Sequence, residues 1–268
     1  MAEKKKRGWI IVIVIVSILL AGMVAVLFAY PTLLSLPTAA TPTTTAPTST
    51  TATTTTTQPT TSTTKPTPKV LIDVPYLHQL DYPTGCESVS AVMAMQYWGV
   101  DITVDDFIDN YLTCRPLRRE SGELIGPGPE TAFIGDPRTS YGYGCYVEPV
   151  GLACYKLLGD DFLVLNRSDR SLTELTDRYI DHDIPVVIWA TINMVEPYSS
   201  DKWTHELYGT TVEWIANEHC LVLVGYDDEH YYCNDPYGNN GVVAYPRALL
   251  EERYEQMGSR ALVIRPAE

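Results

Sequence analysis

Positive charge is scarce in this chain, and two motifs that would define a function are missing altogether. Lysine and arginine together number 19 against 33 aspartates and glutamates, a net charge of −14. Four of those cations, Lys4, Lys5, Lys6 and Arg7, and one acid, Glu3, lie within residues 1–30; the remainder carries 15 against 32, or −17. A surface so acidic repels phosphates, which excludes a nucleic-acid partner and adhesion to anionic lipid. Its plain reading is a solvated acidic face, and its sharper one a preference for basic peptides. No Gly-x-x-x-x-Gly-Lys-Ser/Thr segment occurs, so no phosphate-binding loop is present. No two of the six cysteines have the two-residue spacing of a zinc knuckle, and no metal or organic cofactor is implied. A Cys114–Cys145 disulfide across a loop-rich stretch is one use for two of them, while Cys154 and Cys220 sit in apolar settings that suit small core residues.

Residues 38–68 nearly lack apolar side chains and are rich in Thr, Pro and Ala, so they cannot build a core and are expected to be an extended, solvated tether open to O-glycosylation. Trp9 to Tyr30, by contrast, is an uninterrupted run without charge. At about 1.5 Å per residue it matches a hydrocarbon core ~30 Å thick. It is longer than the apolar region of a cleavable signal, and Ala29-Tyr30-Pro31-Thr32 is a poor cleavage site. The expectation is a cytoplasmic basic tip and transmembrane signal anchor over 1–30, a linker over 31–68 and a folded domain over 69–268. The basic tip places the N-terminus in the cytoplasm and the domain outside the cell.

Within that domain, Val70 to Val74 reads as a short strand. Cys86 to Trp98 has apolar residues at helical spacing around most of its circumference and stops at Gly99, so it is expected to be a central helix. Asp105 to Tyr111, capped by Thr103, Val150 to Leu158, and Ser171 to Asp181 with a Ser171/Glu174 capping box read as further helices. Residues 114–149 are dense in Gly, Pro and Tyr without a period, and their aromatics favour an ordered loop facing substrate. From Ile184 the pattern turns to strands: Pro185–Ile192, a hairpin of Cys220–Val224 with His230–Cys233, then Gly241–Tyr245 and Ala261–Ile264. Helices followed by an antiparallel sheet indicate an α+β domain.

The chemistry concentrates in Gln79-Leu80-Asp81-Tyr82-Pro83-Thr84-Gly85-Cys86. A Pro-x-Gly turn delivers Cys86 to a helix start, whose unpaired N–H groups and dipole favour a thiolate. Gln79 supplies an amide that suits an oxyanion hole. Far downstream, a three-residue hairpin loop at Tyr226–Asp228 would place His219 directly opposite Asp235, and a two-residue loop would leave them diagonal. Either way a carboxylate could fix an imidazole tautomer. Each part alone is commonplace: structural cysteines start helices, strand histidines are usually solvated, and Asn234-Asp235-Pro236 is a turn signature. The ordered set Gln79, Cys86, His219, Asp235 points to catalysis. His182, His205 and His230 lack such a context, while His78 adjoins Gln79 and would line the same cleft.

Val74-Pro75-Tyr76 with Gln79 and Gly85-Cys86-Glu87, Gly126-Pro127 with Ala132-Phe133-Ile134-Gly135-Asp136-Pro137, Gly142-Tyr143-Gly144-Cys145-Tyr146, and His219 leading to Val222-Leu223-Val224-Gly225-Tyr226-Asp227 and Asn234-Asp235-Pro236 form four ordered blocks. Together they resemble the C39-like peptidase family (the C39_2 type), across most of residues 70–250. The resemblance implies a papain-like cysteine peptidase fold with Cys86 as nucleophile, His219 as base and acid, Asp235 as orienter and Gln79 as oxyanion donor. The double-glycine leader substrates of the transporter-fused relatives do not carry over, because this chain has one span and no ATP-binding motif. The expected function is a membrane-anchored extracellular cysteine peptidase acting on a peptide or protein substrate. The alternatives are a cell-wall peptidoglycan amidase or acyl-transferase with the same triad, and a catalytically silent binding module.

Overall fold

Cys86–Met95, the first ten residues of an α-helix, are all buried, polar Glu87, Ser88 and Ser90 among them. A helix with no solvent face must be surrounded, and the rest of the domain is arranged to do so. The computed structural model describes residues 67–267, so the expected membrane span at 9–30 and nearly all of the 31–68 linker lie outside the described residues. Among the described residues, no helix is long and apolar enough to cross a membrane.

In chain order the strands are β1 (Val70–Leu71), β2 (Cys114–Arg115), β3 (Arg118–Glu120), β4 (Glu123–Gly126), β5 (Phe133–Ile134), β6 (Phe162–Asn166), β7 (Val186–Thr191), β8 (Ser199–His205), β9 (Thr211–Ile215), β10 (Glu218–Tyr226), β11 (His230–Asp235), β12 (Gly241–Pro246) and β13 (Ala261–Pro266). The helices are α1 (Cys86–Tyr97), α2 (Val104–Asn110), α3 (Val147–Leu158), α4 (Leu172–Arg178) and α5 (Arg247–Gln256). The main sheet runs β12-β11-β10-β7-β13-β6, antiparallel throughout, with β1 also paired to β10. β7 is buried along its whole length and β10 along all but its last residue, as expected for strands covered on both faces. α1 lies against β10, where the Ser90 hydroxyl donates to the Cys220 carbonyl at 3.1 Å.

The mixed α+β architecture matches the expectation, as do most of its parts. Thr103 caps α2 by accepting the Asp106 N–H, Ser171 and Glu174 form a reciprocal capping box, and Gly99 (φ +79°) follows α1. The differences are specific. Helices and sheet are less segregated than the pattern indicated: β6 precedes α4, and α5 sits between β12 and β13. The aperiodic 114–149 stretch is ordered, and part of it joins residues 199–215 in a second, four-stranded sheet, β3-β4-β8-β9, in which β4 runs parallel to β8. Ile134, Trp203 and Trp214 form a small core there. Cys114 and Cys145 are free thiols, the first exposed and the second buried, so the disulfide expected as one use for them is not formed.

Candidate active site

The loop before α1 is fixed by its own backbone: Tyr82 N–H donates to Gln79 O at 2.8 Å and Gly85 N–H to Tyr82 O at 2.9 Å. A Cβ at Gly85 would lie 2.9 Å from Tyr82 Cβ and 3.0 Å from Pro137 Cβ, so only glycine lets this loop press against the Pro137 turn. Cys86 is thereby held at the first position of α1, as its sequence context indicated.

β10 supplies His219 and β11 supplies Asp235. His219 Nε2 lies 2.7 Å from Asp235 Oδ1, with both residues fully buried. The hairpin that joins them differs from the expected one. Asp227 N–H donates to His230 O at 2.9 Å and closes a two-residue loop, Asp228–Glu229, one position later than either predicted loop. An irregularity between Leu223 and Gly225 then shifts the ladder to the pairing Val222↔Asn234. Continued along the strands, that register sets Asp235 across from Leu221, so His219 reaches it diagonally rather than directly. The two side chains still share a face, and the diagonal is within reach of an imidazole.

Asp235 is enclosed by donors. Oδ1 also accepts the Tyr237 N–H at 2.9 Å, while Oδ2 accepts the Tyr245 hydroxyl at 2.6 Å and the Asn240 amide at 3.3 Å. Burial opposes ionisation here, but the bonds from His219, Tyr245 and Tyr237 outweigh it and hold the carboxyl below the ordinary Asp value. The Tyr237 ring stands edge-on to the imidazole, centroids 6.0 Å apart. Residues 76–79 are stitched to this turn: the Tyr76 hydroxyl donates to Asp235 O at 3.1 Å, and Gln79 N–H to Pro236 O at 3.0 Å. The buried Gln79 amide donates to Pro83 O at 3.3 Å and has a second N–H to offer; its Oε1 has no partner. His78 is exposed and its Nδ1 accepts the Leu80 N–H at 3.3 Å.

The thiol departs from expectation. Cys86 Sγ donates to Glu87 Oε2 at 3.4 Å, whereas His219 Nδ1 is buried without any hydrogen-bond partner. Burial, followed by the charges of Glu87 and Glu218, pushes the Cys86 thiol well above its usual value, so the field of the helix start is outweighed and the resting sulfur carries its proton. Sequence reasoning missed Glu87 and Glu218. Each adjoins a predicted site residue, which was the available signal, but nothing in the local pattern marked them as buried. One oxygen from each carboxyl and the Cys86 sulfur lie within 4.8 Å of one another. This is the one acid, thiol or imidazole grouping among the described residues tight enough for a cation. A cation would occupy the sulfur, so the cluster is read as acid–base chemistry.

The site falls inside a stretch with known relatives. The model of the Peptidase_C39 like family matches residues 71–262. The uncharacterized protein YvpB of Bacillus subtilis (strain 168) is 30% identical over 196 residues, covering 72% of this chain and 75% of its own. A crystal structure from Bacillus anthracis, assigned to the C39-like peptidases, superposes with a TM-score of 0.65 at 27% identity, over 75% of this chain and 99% of its own.

Proposed function

The chain belongs to the C39-like peptidase family, and from that premise we propose that it is a thiol peptidase in which Cys86 attacks a peptide carbonyl and His219, held by Asp235, moves the proton. The observation that carries this reading is the division of labour at His219: Nε2 is committed to Asp235 at 2.7 Å, while Nδ1 is buried with no partner. Buried polar atoms are almost always paired, so an idle ring nitrogen on the strand that packs on α1 calls for a partner supplied in the reaction. In the proposed first step the Cys86 S–H leaves Glu87 for Nδ1. The proton then passes to the imidazole, and the sulfur bonds to the carbonyl carbon. The carbonyl oxygen takes the negative charge, with the second Gln79 N–H and the Cys86 N–H at the helix start as its donors. Imidazolium gives its proton to the leaving amine, and water releases the acyl group from sulfur by the reverse route. Asp235 keeps the ring oriented and stabilises the imidazolium without itself becoming protonated.

The sequence supports an address for this chemistry as well: the uncharged run from Trp9 to Tyr30 behind a basic tip reads as a signal anchor with the peptidase domain outside the cell. The tether and location leave peptides of the cell surface or the wall as the substrate class.

Cleavage of a mixed peptide library, including wall stem peptides, by the full chain in detergent tests the reading. Cys86→Ala and His219→Gln are each expected to lower turnover by about 10⁴-fold or more. Retained turnover in either variant overturns the assignment. Cleavage confined to stem peptides would assign the chain to wall hydrolysis.

A further inference from the structure

The proposed mechanism leaves Glu87 and Glu218 unused, although both are buried and both stand at the nucleophile. Glu87 follows Cys86 on α1, and Glu218 precedes His219 on β10. A Cβ on Gly144 (φ +154°) would fall 2.6 Å from Glu87 Oε1 and 3.0 Å from Glu218 Oε2. A glycine in a conformation that other residues rarely adopt thus makes room for both carboxyls. Two carboxylates this close, enclosed and away from water, cannot both stay ionised unless a cation faces them.

Cys145 and Tyr146 come from the segment entering α3, Cys220 and His219 from β10, Trp214 from β9, and Arg260 from the turn before β13. Arg260 is the cation whose charge bears on Glu218, but its guanidinium lies over the Tyr146 ring at 3.6 Å and bonds the Met257 carbonyl. The hydrogen bonds then assign the roles. Glu87 accepts the Cys145 N–H at 2.6 Å and the Cys86 S–H at 3.4 Å, the environment of an anion. Glu218 Oε1 is buried with no partner, the environment of a carboxylic acid.

We propose that Glu87 and Glu218 hold one proton between them beside the Cys86 sulfur and, through Glu87, keep the thiol in a resting orientation turned from His219, which makes both of them positioning residues for the nucleophile. This rests on the reading of Cys86 as the nucleophile. Activation exchanges one hydrogen bond for another: S–H leaves Glu87 Oε2 and turns to His219 Nδ1, which then accepts the proton. The proton on Glu218 is free to bridge to the vacated Glu87 oxygen, so no proton is gained or lost by the site. The direction of the Cys86 shift, upward through burial and then the charges of Glu87 and Glu218, agrees with this arrangement.

The test is the pH profile of Cys86 alkylation by iodoacetamide on the full chain in detergent with chelator, read by peptide mass so that Cys86 is separated from the other five cysteines. Glu87→Gln keeps an oxygen for the Cys145 N–H but removes the charge. It is expected to move the alkylation midpoint down by about one pH unit, a ~10-fold faster reaction below the midpoint. Glu218→Gln replaces a neutral acid with a neutral amide and is expected to leave the midpoint nearly in place; a shift as large as that of Glu87→Gln would show both carboxyls ionised and overturn the shared proton. A midpoint unchanged in Glu87→Gln as well, with only the thermal melt lowered, would overturn the proposal and leave the pair a packing feature. The underlying reading fails separately: Cys86 alkylation that is no faster than that of exposed Cys114, and indifferent to His219→Gln, would remove the nucleophile and this proposal with it.

Discussion

Asp235 and Glu218 carry the same functional group and both are buried, one bonded to His219 and the other next to it in sequence. They nonetheless depart from the ordinary carboxylate range in opposite directions. At Asp235, burial is outweighed by bonds from an imidazole, a tyrosine hydroxyl and a backbone amide. At Glu218, burial and the charge of Glu87 act together and only Arg260 opposes them. Enclosure alone therefore does not decide the state of a carboxyl; the donors aimed at it do. The difference divides the site into an ionised carboxyl that can stabilise a cationic histidine and a carboxyl that favours its proton, next to the Glu87 oxygen that holds the thiol.

The sharpest way to break that division is to neutralise Asp235. Asp235→Asn preserves shape but offers an amide that cannot stabilise imidazolium, and with the amide N–H turned to Nε2 it favours the wrong tautomer. Peptidase turnover is expected to fall by about 10²–10⁴-fold with the thermal melt lowered only modestly. Near-normal turnover in the Asp235→Asn variant would show that the ionised side is not the reacting side. His219→Ala serves less well, because it takes one donor from the buried Asp235 carboxylate and leaves a cavity, so stability falls together with turnover; His219→Gln avoids the confusion.

The two sides should also give stability opposite dependences on pH. Glu87, raised to about 7 mainly by burial, binds its proton more tightly folded than unfolded. Its contribution is complete below the unfolded value of about 4.5 and is lost as pH rises to about 7, at ~1.4 kcal/mol per unit of separation. Asp235 lies below its unfolded value, so its contribution is present above about pH 4 and is lost as pH falls through the folded value. Denaturant melts across pH 3–8 should therefore show stability falling from about pH 4.5 to 7, and Glu87→Gln should make that limb shallower, with the remainder due to buried Glu218, and leave the acid limb alone. A Glu87→Gln chain that keeps the full decline would place its source elsewhere.

The same contrast explains how much the sequence disclosed. Gln79, Cys86, His219 and Asp235 were legible because nucleophile, base and orienter types occur in order beside a turn, a helix start and strand ends. α1, β7 and β10 were legible because strong apolar runs reflect burial on all sides. Glu87 and Glu218 were not, since a glutamate on a buried surface looks locally like one on a solvated surface; only the approach of α1 to β10, 130 residues apart at Ser90 and Cys220, encloses them. The second sheet was hidden for the converse reason. All three residues of β3 and the first four of β8 are exposed, so neither shows alternation, and β4 pairs with β8 through the distant contacts Ile125↔Thr204 and Gly126↔His205. The hairpin register was missed because the loop closes later, at Asp228–Glu229; the irregularity after Leu223, which composition does not announce, then shifts the ladder back by one.

The mildest probe of the ionised side is Tyr245→Phe, which deletes one donor and nothing else. The hydroxyl bonds Asp235 Oδ2 at 2.6 Å, the Asn240 amide reaches the same oxygen at 3.3 Å, and the contact with His219 is through Oδ1. Loss of a hydrogen bond to a charged group should destabilise the fold by about 1.5–3 kcal/mol. With one donor fewer, Asp235 should titrate closer to an ordinary carboxyl, so the acid limb of the stability profile should keep its onset, which the unfolded chain sets, but end at higher pH and lose less stability. Turnover at neutral pH should drop only a few-fold, because the carboxylate stays ionised and keeps its grip on Nε2. If Tyr245→Phe instead costs as much turnover as Asp235→Asn, then orienting the imidazole depends on the whole shell of donors around Asp235 rather than on the one oxygen that touches the ring.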